Sequence, residues 1–216
     1  MELDILYGSG MHANTYLLTD SGESALIDCS ADPAKVTALL EKRSSVLRYI
    51  LLTHGHFDHI TYLVEMRDLT GAAAMIHKAD AEMLGDSVKN GYSTMYRSGE
   101  LTVRSAEKEL SDGEKITLGG VGITLIHTPG HTKGSSCYLA DGVLFSGDTL
   151  FCQNVGRTDM YGGSPSALFE SLKRLGEIDR ATVVRPGHGA GTTIGDEFDS
   201  NYYMMQAQGD AGSIFD

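Results

Sequence analysis

Thr53-His54-Gly55-His56-Phe57-Asp58-His59 gathers three imidazoles and a carboxylate between residues 54 and 59. The apolar run 47–52 precedes it, and a helical pattern over residues 60–69 follows. The cluster therefore falls where a buried strand ends and a helix begins, a usual place for a site in an α/β protein. Histidines and carboxylates gathered in this way have the composition of a metal site.

A single ion is poorly served by four donors so close in sequence. Alternating residues of a turn can point to two sides, so His54 with His56, and Asp58 with His59, can serve two neighbouring ions. A catalytic zinc takes about three protein ligands and a water. Each pair then needs a partner from elsewhere. Three candidates follow apolar strands and sit next to glycine: His131 in Thr128-Pro129-Gly130-His131-Thr132, Asp148 in Phe145-Ser146-Gly147-Asp148-Thr149, and His188 in Pro186-Gly187-His188-Gly189. Glycine beside a donor lets the backbone come close to an ion.

The rest of the chain supports an enclosed α/β frame. Its 216 residues, 41% hydrophobic, suit one domain spanning 1–216. Four prolines against 26 glycines indicate tight turns rather than disorder. No apolar run reaches the roughly 18 residues of a membrane span. The start, Met1-Glu2-Leu3-Asp4, has no basic leader pattern, and Cys29, Cys137 and Cys152 are odd in number and widely spaced, so a cytoplasmic protein with reduced thiols is expected. The net charge of −12 opposes nucleic-acid binding and leaves a small-molecule substrate as the expected partner. Nothing in the sequence sets the oligomeric state.

Short β-prone runs at residues 3–6, 15–18 and 24–28 alternate with turn residues. Asp32-Pro33 and Ser164-Pro165 each read as a helix start, with a cap followed by proline in the first turn. Val36, Leu39 and Leu40 keep helical spacing after the first, and Leu168, Leu172 and Leu175 after the second. Strands are expected at 46–52, 73–77, 115–118, 122–126, 136–139, 143–145 and 182–184. Ala140-Asp141-Gly142 has a hairpin signature. Residues 85–100 show no period and read as a long loop, a candidate lid with Tyr92, Met95 and Tyr96 as pocket residues. A last helix is expected near Thr193. This order predicts two packed sheets with helices outside and the histidine-bearing loops at one edge.

The motifs H-x-H-x-D-H, T-P-G-H-T, S-G-D and P-G-H-G, in that order, resemble the metallo-β-lactamase superfamily. The resemblance runs from Asn14 to Glu197. It implies an αββα sandwich of two mixed sheets with a binuclear site. By match to those motifs, His54, His56 and His131 would hold one metal, Asp58, His59 and His188 a second, and Asp148 would bridge them. Zinc is the expected metal, with iron or manganese as alternatives.

Within that superfamily Gly156-Arg157-Thr158-Asp159, Gly162-Gly163-Ser164 and Thr192-Thr193-Ile194-Gly195 with Glu197 resemble the glyoxalase II-like small hydrolases. The implied activity is hydrolysis of a small, hydroxyacylglutathione-like thioester by a metal-bridging hydroxide, with Asp58 and Asp148 as the catalytic carboxylates. Only 28 residues follow His188, too few for the helical domain with which glyoxalase II holds glutathione. Lactamases usually have cysteine at the position of Asp148, and flavodiiron proteins usually have glutamate at that of His56. Ile27-Asp28-Cys29 stands where the family more often has I-D-P. Two alternatives remain: a mononuclear iron persulfide dioxygenase, since those enzymes also carry G-R-T-D, and a metal-binding module without turnover. Asp28 and His127 are candidates to orient ligand histidines, Arg157 and Asp159 to brace their loop as an ion pair, and His12 and His77 are expected not to be ligands.

Overall fold

A computed structural model describes residues 1–96 and 99–209. Six strands form one sheet in simple sequential order: β1 (Glu2–Leu6), β2 (Thr15–Asp20), β3 (Glu23–Ile27), β4 (Val46–Leu51), β5 (Ala73–His77) and β6 (Lys108–Leu110). The second sheet contains β7 (Lys115–Leu118), β8 (Val121–His127), β9 (Ser136–Ala140), β10 (Val143–Gly147), β13 (Val183–Pro186) and β14 (Thr192–Thr193), in the order β14-β13-β10-β9-β8-β7. A small hairpin, β11 (Leu150–Phe151) with β12 (Asn154–Val155), stands apart from both.

Side chains alternate between the faces of a strand, and here that alternation builds the layers. Tyr16, Leu18, Ala25 and Ile27 point between the sheets, where they meet Ile116, Leu125, Tyr138 and Phe145. Their neighbours Leu17 and Leu26 point outward and pack with Val36, Leu40, Leu63 and Met66. Those four belong to the helices α1 (Pro33–Arg43) and α2 (Leu63–Thr70). On the far side Leu168, Leu172, Leu175, Ile194 and Met204 cover Leu144 and Val184. Three apolar layers between two sheets and two helical shells make the αββα sandwich.

Two short helices, α3 (Ala81–Leu84) and α4 (Tyr92–Met95), follow β5; α5 (Pro165–Gly176), α6 (Ile194–Ser200) and α7 (Tyr202–Gln208) form the second shell. Both proline-marked starts are helix starts: Asp32 accepts from Ala34 N at 2.9 Å, and Ser164 from Ala167 N at 3.3 Å. Asp141 and Gly142 both have positive φ, 48° and 74°, as the tight turn between β9 and β10 requires.

The expected boundaries shift in three places. The helix expected from residue 60 begins at Leu63, because Phe57–His59 form a 3₁₀ turn that holds the donors in place. The stretch 85–100 is not structureless where described: it contains α4, and the Asn90 carbonyl accepts from Phe57 N at 3.0 Å, tying it to the ligand turn. Residues 97 and 98 of that stretch lie outside the described residues. The last helical region is divided at Asn201, whose side chain caps α7. No helix among the described residues is long and apolar enough to cross a membrane.

Candidate metal centre

Parallel strands deliver the candidate ligands to one edge of the sandwich. β3 runs parallel to β4, and β10 parallel to β13. Asp28 follows β3, residues 53–59 follow β4, Asp148 follows β10, and His188 follows β13. His131 lies in the turn between β8 and β9. The seven candidates therefore converge from both sheets.

Their donor atoms form overlapping groups, each within 4.8 Å: His54, His56 and His131; His54, His59 and Asp148; Asp58, His59 and His188. Asp148 lies between the triads. Its Oδ2 is 3.6 Å from His131 Nε2 and 3.7 Å from His188 Nε2, and its Oδ1 is 3.3 Å from His59 Nε2. His188 Nε2 lies 3.1 Å from Asp58 Oδ2. Gly187 is required at its position: a Cβ there would come within 2.3 Å of Asp148 Oδ1.

Hydrogen bonds to the far ring nitrogens turn the histidines inward. Asp28 accepts from His59 Nδ1 at 2.7 Å. It also accepts the Thr53 hydroxyl proton at 2.9 Å, so Thr53 Oγ1 is left to accept from His54 Nδ1 at 3.1 Å. The Arg157 carbonyl accepts from His131 Nδ1 at 2.7 Å. Each bond fixes the tautomer and leaves Nε2 as the inward donor. Asp28 has a left-handed φ of 58°, a strained conformation for a non-glycine residue that is held by these contacts. Cys29 N donates to the His59 carbonyl at 2.8 Å, a bond proline could not make. Asp28→Asn is expected to weaken metal binding by about 10–100-fold, the usual cost of losing a carboxylate behind a ligand imidazole; competition with a chromophoric chelator measures it.

Metal ions fit this donor set. His54 Nε2, His59 Nε2 and Asp148 Oδ1 are buried without a hydrogen-bond partner, whereas buried polar atoms are ordinarily paired, and His56 turns its Nδ1 to within 2.9 Å of His131 Nε2. Burial holds the His56 imidazole down at about 3, and burial with the neighbouring imidazoles holds His54 well below the usual imidazole range, so both are neutral and ready to coordinate. Burial also opposes charge on His59, but Asp28, Asp148 and Asp58 outweigh it and raise the pKa. Among the described residues Asp58 and Asp148 pair only with histidines, never with Lys or Arg. Imidazoles gathered with carboxylates that have no Lys or Arg partner suit divalent ions.

His127 does not join the cluster. It stacks on His77 at 3.9 Å with an interplanar angle of 12°, and its Nε2 donates to the Lys133 carbonyl at 2.9 Å. Position at a strand end suggested a ligand partner; the strand carries the ring to the β5 side instead. Burial, then His127, holds His77 down at about 4. Between pH 6.5 and 4 the unfolded chain binds a proton that folded His77 refuses, so stability falls as pH drops through that window. A melting series from pH 7 to 4.5 should show a smaller acid loss for His77→Gln than for the parent. Arg157 and Asp159 form the expected ion pair, at 2.6 Å and 2.8 Å. His12 stacks loosely on Tyr62 and belongs to none of the donor groups.

Two sets of supporting residues escape motif reading. Asp80, fully buried, accepts from Gly55 N at 3.1 Å, Thr132 Oγ1 at 2.7 Å and Gly134 N at 2.6 Å, joining the His54–His56 turn to the His131 turn. Tyr16 donates to the Pro186 carbonyl at 2.7 Å, and Asn14 to the Pro186 and Gly189 carbonyls at 3.1 Å, fixing the loop of His188. Only a hydroxyl-rich Thr132–Ser136 turn and an acid just past a strand end hinted at the first set.

Comparison with known proteins agrees with this geometry. The sequence model of the metallo-beta-lactamase superfamily matches residues 8–188. The chain is 32% identical over 197 residues to the probable metallo-hydrolase YqgX of Bacillus subtilis, covering 90% of this chain and 93% of that one. It is 33% identical over 174 residues to a hydroxyacylglutathione hydrolase of Acidiphilium cryptum, covering 80% and 63%. Among solved structures it is similar to the B3 metallo-beta-lactamase BLEG-1, with a TM-score of 0.86, 34% identity and coverage of 94% and 99%. TTHA1623 in a di-iron-bound form gives 0.78, 32%, 93% and 99%. ETHE1 from Myxococcus xanthus gives 0.77, 28%, 94% and 84%.

Proposed function

The chain belongs to the metallo-β-lactamase superfamily, and from that premise we propose that it is a binuclear metal-dependent hydrolase of small thioesters. The observation that carries this reading is the pair of donor triads with Asp148 between them. His54, His56 and His131 would hold one cation, Asp58, His59 and His188 the other, and Asp148 both. Zinc is our reading of the metal; the di-iron form of TTHA1623 keeps iron as the alternative. Such cations, when bound, supply a water acidified toward neutrality and a Lewis acid for the carbonyl oxygen.

The protein's own groups orient and protect that chemistry. Asp28 and Thr53 hold the imidazoles of His59 and His54 in one tautomer. Asp148 sets the spacing of the two triads. Asp58 lines the open cleft beside His188, and its carboxylate stays ionised there, ready to hold a cation. A thiolate departs without much acid assistance, which favours a thioester over an amide. The kinship with a hydroxyacylglutathione hydrolase supports the same class. We further propose a small-molecule substrate, with neither nucleic acid nor membrane as partner, on the strength of the −12 charge.

Metal analysis of protein expressed with excess zinc and iron tests the centre: close to two equivalents per chain are expected, and less than half an equivalent overturns it. Turnover of lactoyl and acetyl thioesters tests the chemistry, with a chromogenic cephalosporin alongside because of the likeness to BLEG-1. The second reading, a mononuclear iron dioxygenase of persulfides, draws on Gly156–Asp159. It leaves the convergence of Asp58, His59 and His188 without a role. Oxygen uptake by iron-loaded protein with glutathione persulfide would support it. Metal binding with no turnover in any of these assays would support a binding module.

A further inference from the structure

The cleft over the candidate ligands is walled by flexible apolar side chains. Met11, Phe57, Met95, Phe151 and Met160 line a cavity of about 380 Å³ that opens on Asp58, Asp148 and His188. These five come from separate segments: the loop after β1, the ligand turn, α4, β11 and the loop before α5. Past Met11 and Phe57 a second cavity of about 240 Å³ continues from Asp58 between Tyr92, Tyr96 and Leu101, with His12 and Thr61 as the polar part of its wall. The two tyrosine rings are 4.8 Å apart and meet Phe57 at 5.9 Å and 5.8 Å, nearly perpendicular to it. At the mouth Met11, Met95 and Tyr96 are 39%, 51% and 43% exposed. Apolar residues gathered on the surface around a cleft mark a binding site.

We propose that this cleft is an acyl-chain site and that the substrate is the thioester of a linear aliphatic acid; the proposal rests on the hydrolase reading above. Methionine is unbranched and polarizable and adapts to a flexible chain. Three of them around the reaction centre suit a polymethylene group better than a short hydroxyacyl group, which would leave the apolar walls unfilled. Among the described residues Arg157 is the one Lys or Arg lining the 380 Å³ cleft, and Asp159 already holds it. The carbonyl would lie between the metal triads, with the chain running past Met11 and Phe57 toward Tyr92 and Leu101.

The test is a series of N-acetylcysteamine thioesters from acetyl to octanoyl, with the lactoyl thioester as reference, on metal-replete protein. The expected result is a rise in kcat/KM of about two- to fourfold per methylene, fourfold being the full transfer of a CH₂ out of water. Met95→Asp, a change at an exposed position, should lower the octanoyl-to-acetyl ratio of kcat/KM about tenfold, with metal content unchanged. Calorimetry should show octanoate binding more tightly than acetate, a readout independent of turnover. A flat or falling profile, with acetyl or lactoyl turnover intact, overturns the acyl-chain site and leaves the hydrolase standing. An equal loss at every chain length in Met95→Asp also overturns it. Failure to turn over any thioester sinks the hydrolase reading and this proposal together.

Discussion

Asp148→Ala is expected to lower kcat/KM for a thioester by about 10³ and to reduce metal content from two equivalents toward one. Among the described residues its carboxylate is the one that reaches histidines of both triads, at 3.3–3.7 Å. Stabilisation by bound cations is worth several kcal/mol at the transition state, and each 1.36 kcal/mol is a factor of ten. Loss of the shared ligand removes much of it. The apolar walls of the cleft are untouched, so the loss should fall on kcat more than on KM. Ligand binding stabilises a fold in proportion to its affinity. The rise in melting temperature on adding zinc should therefore shrink in the variant. An unchanged zinc response together with unchanged turnover would remove Asp148 from the site.

The second large effect is on stability. Asp80→Ala leaves Gly55 N–H, Gly134 N–H and the Thr132 hydroxyl without their acceptor in a fully buried position. The Thr132 hydroxyl can turn to Ser135 Oγ, and each of the two unpaired N–H groups costs about 1–3 kcal/mol, so a total loss of roughly 2–6 kcal/mol is expected. For a chain of this size that lowers the melting temperature by about 10 °C. The loss should appear with and without metal, because the clamp does not itself hold an ion. Metal affinity should fall as well, since the clamp sets the His54–His56 turn against His131. Asp80→Asn keeps one acceptor oxygen and should lie between. Burial raises the Asp80 pKa against the pull of Thr132, Gly134 and Gly55. The carboxylate is therefore retained at an electrostatic cost, in keeping with a role in joining the two turns.

The sequence made the donors legible for a physical reason. Ligands packed at spacings of one and two residues in a turn, and Gly-His or Gly-Asp at strand ends, are local patterns. The same holds for Asp32-Pro33, Ser164-Pro165 and Asp141-Gly142, where a cap or a positive φ is decided within a few residues. Asp80, Asn14 and Tyr16 act at a distance, through partners 25 to 175 residues away. Nothing in their immediate neighbours announces it. β6, Lys108–Leu110, went unseen because an edge strand with two exposed charged residues has no apolar run. The 3₁₀ turn at Phe57–His59 shortened the following helix by the demands of the donor cluster rather than by propensity. His127 shows the converse: a strand end is a necessary address for a ligand but not a sufficient one.

The anchoring of the His188 loop by Asn14 and Tyr16 bears on how the protein comes into being. The contacts span 170 residues and more of chain. Pairings so distant in sequence form late, because a long loop must be closed before they are gained. During synthesis the first four donors are made early and wait for His131, Asp148 and His188. Completion of the centre then waits for β13, which delivers His188, to join its sheet, so that catalytic competence would report that both sheets have come together.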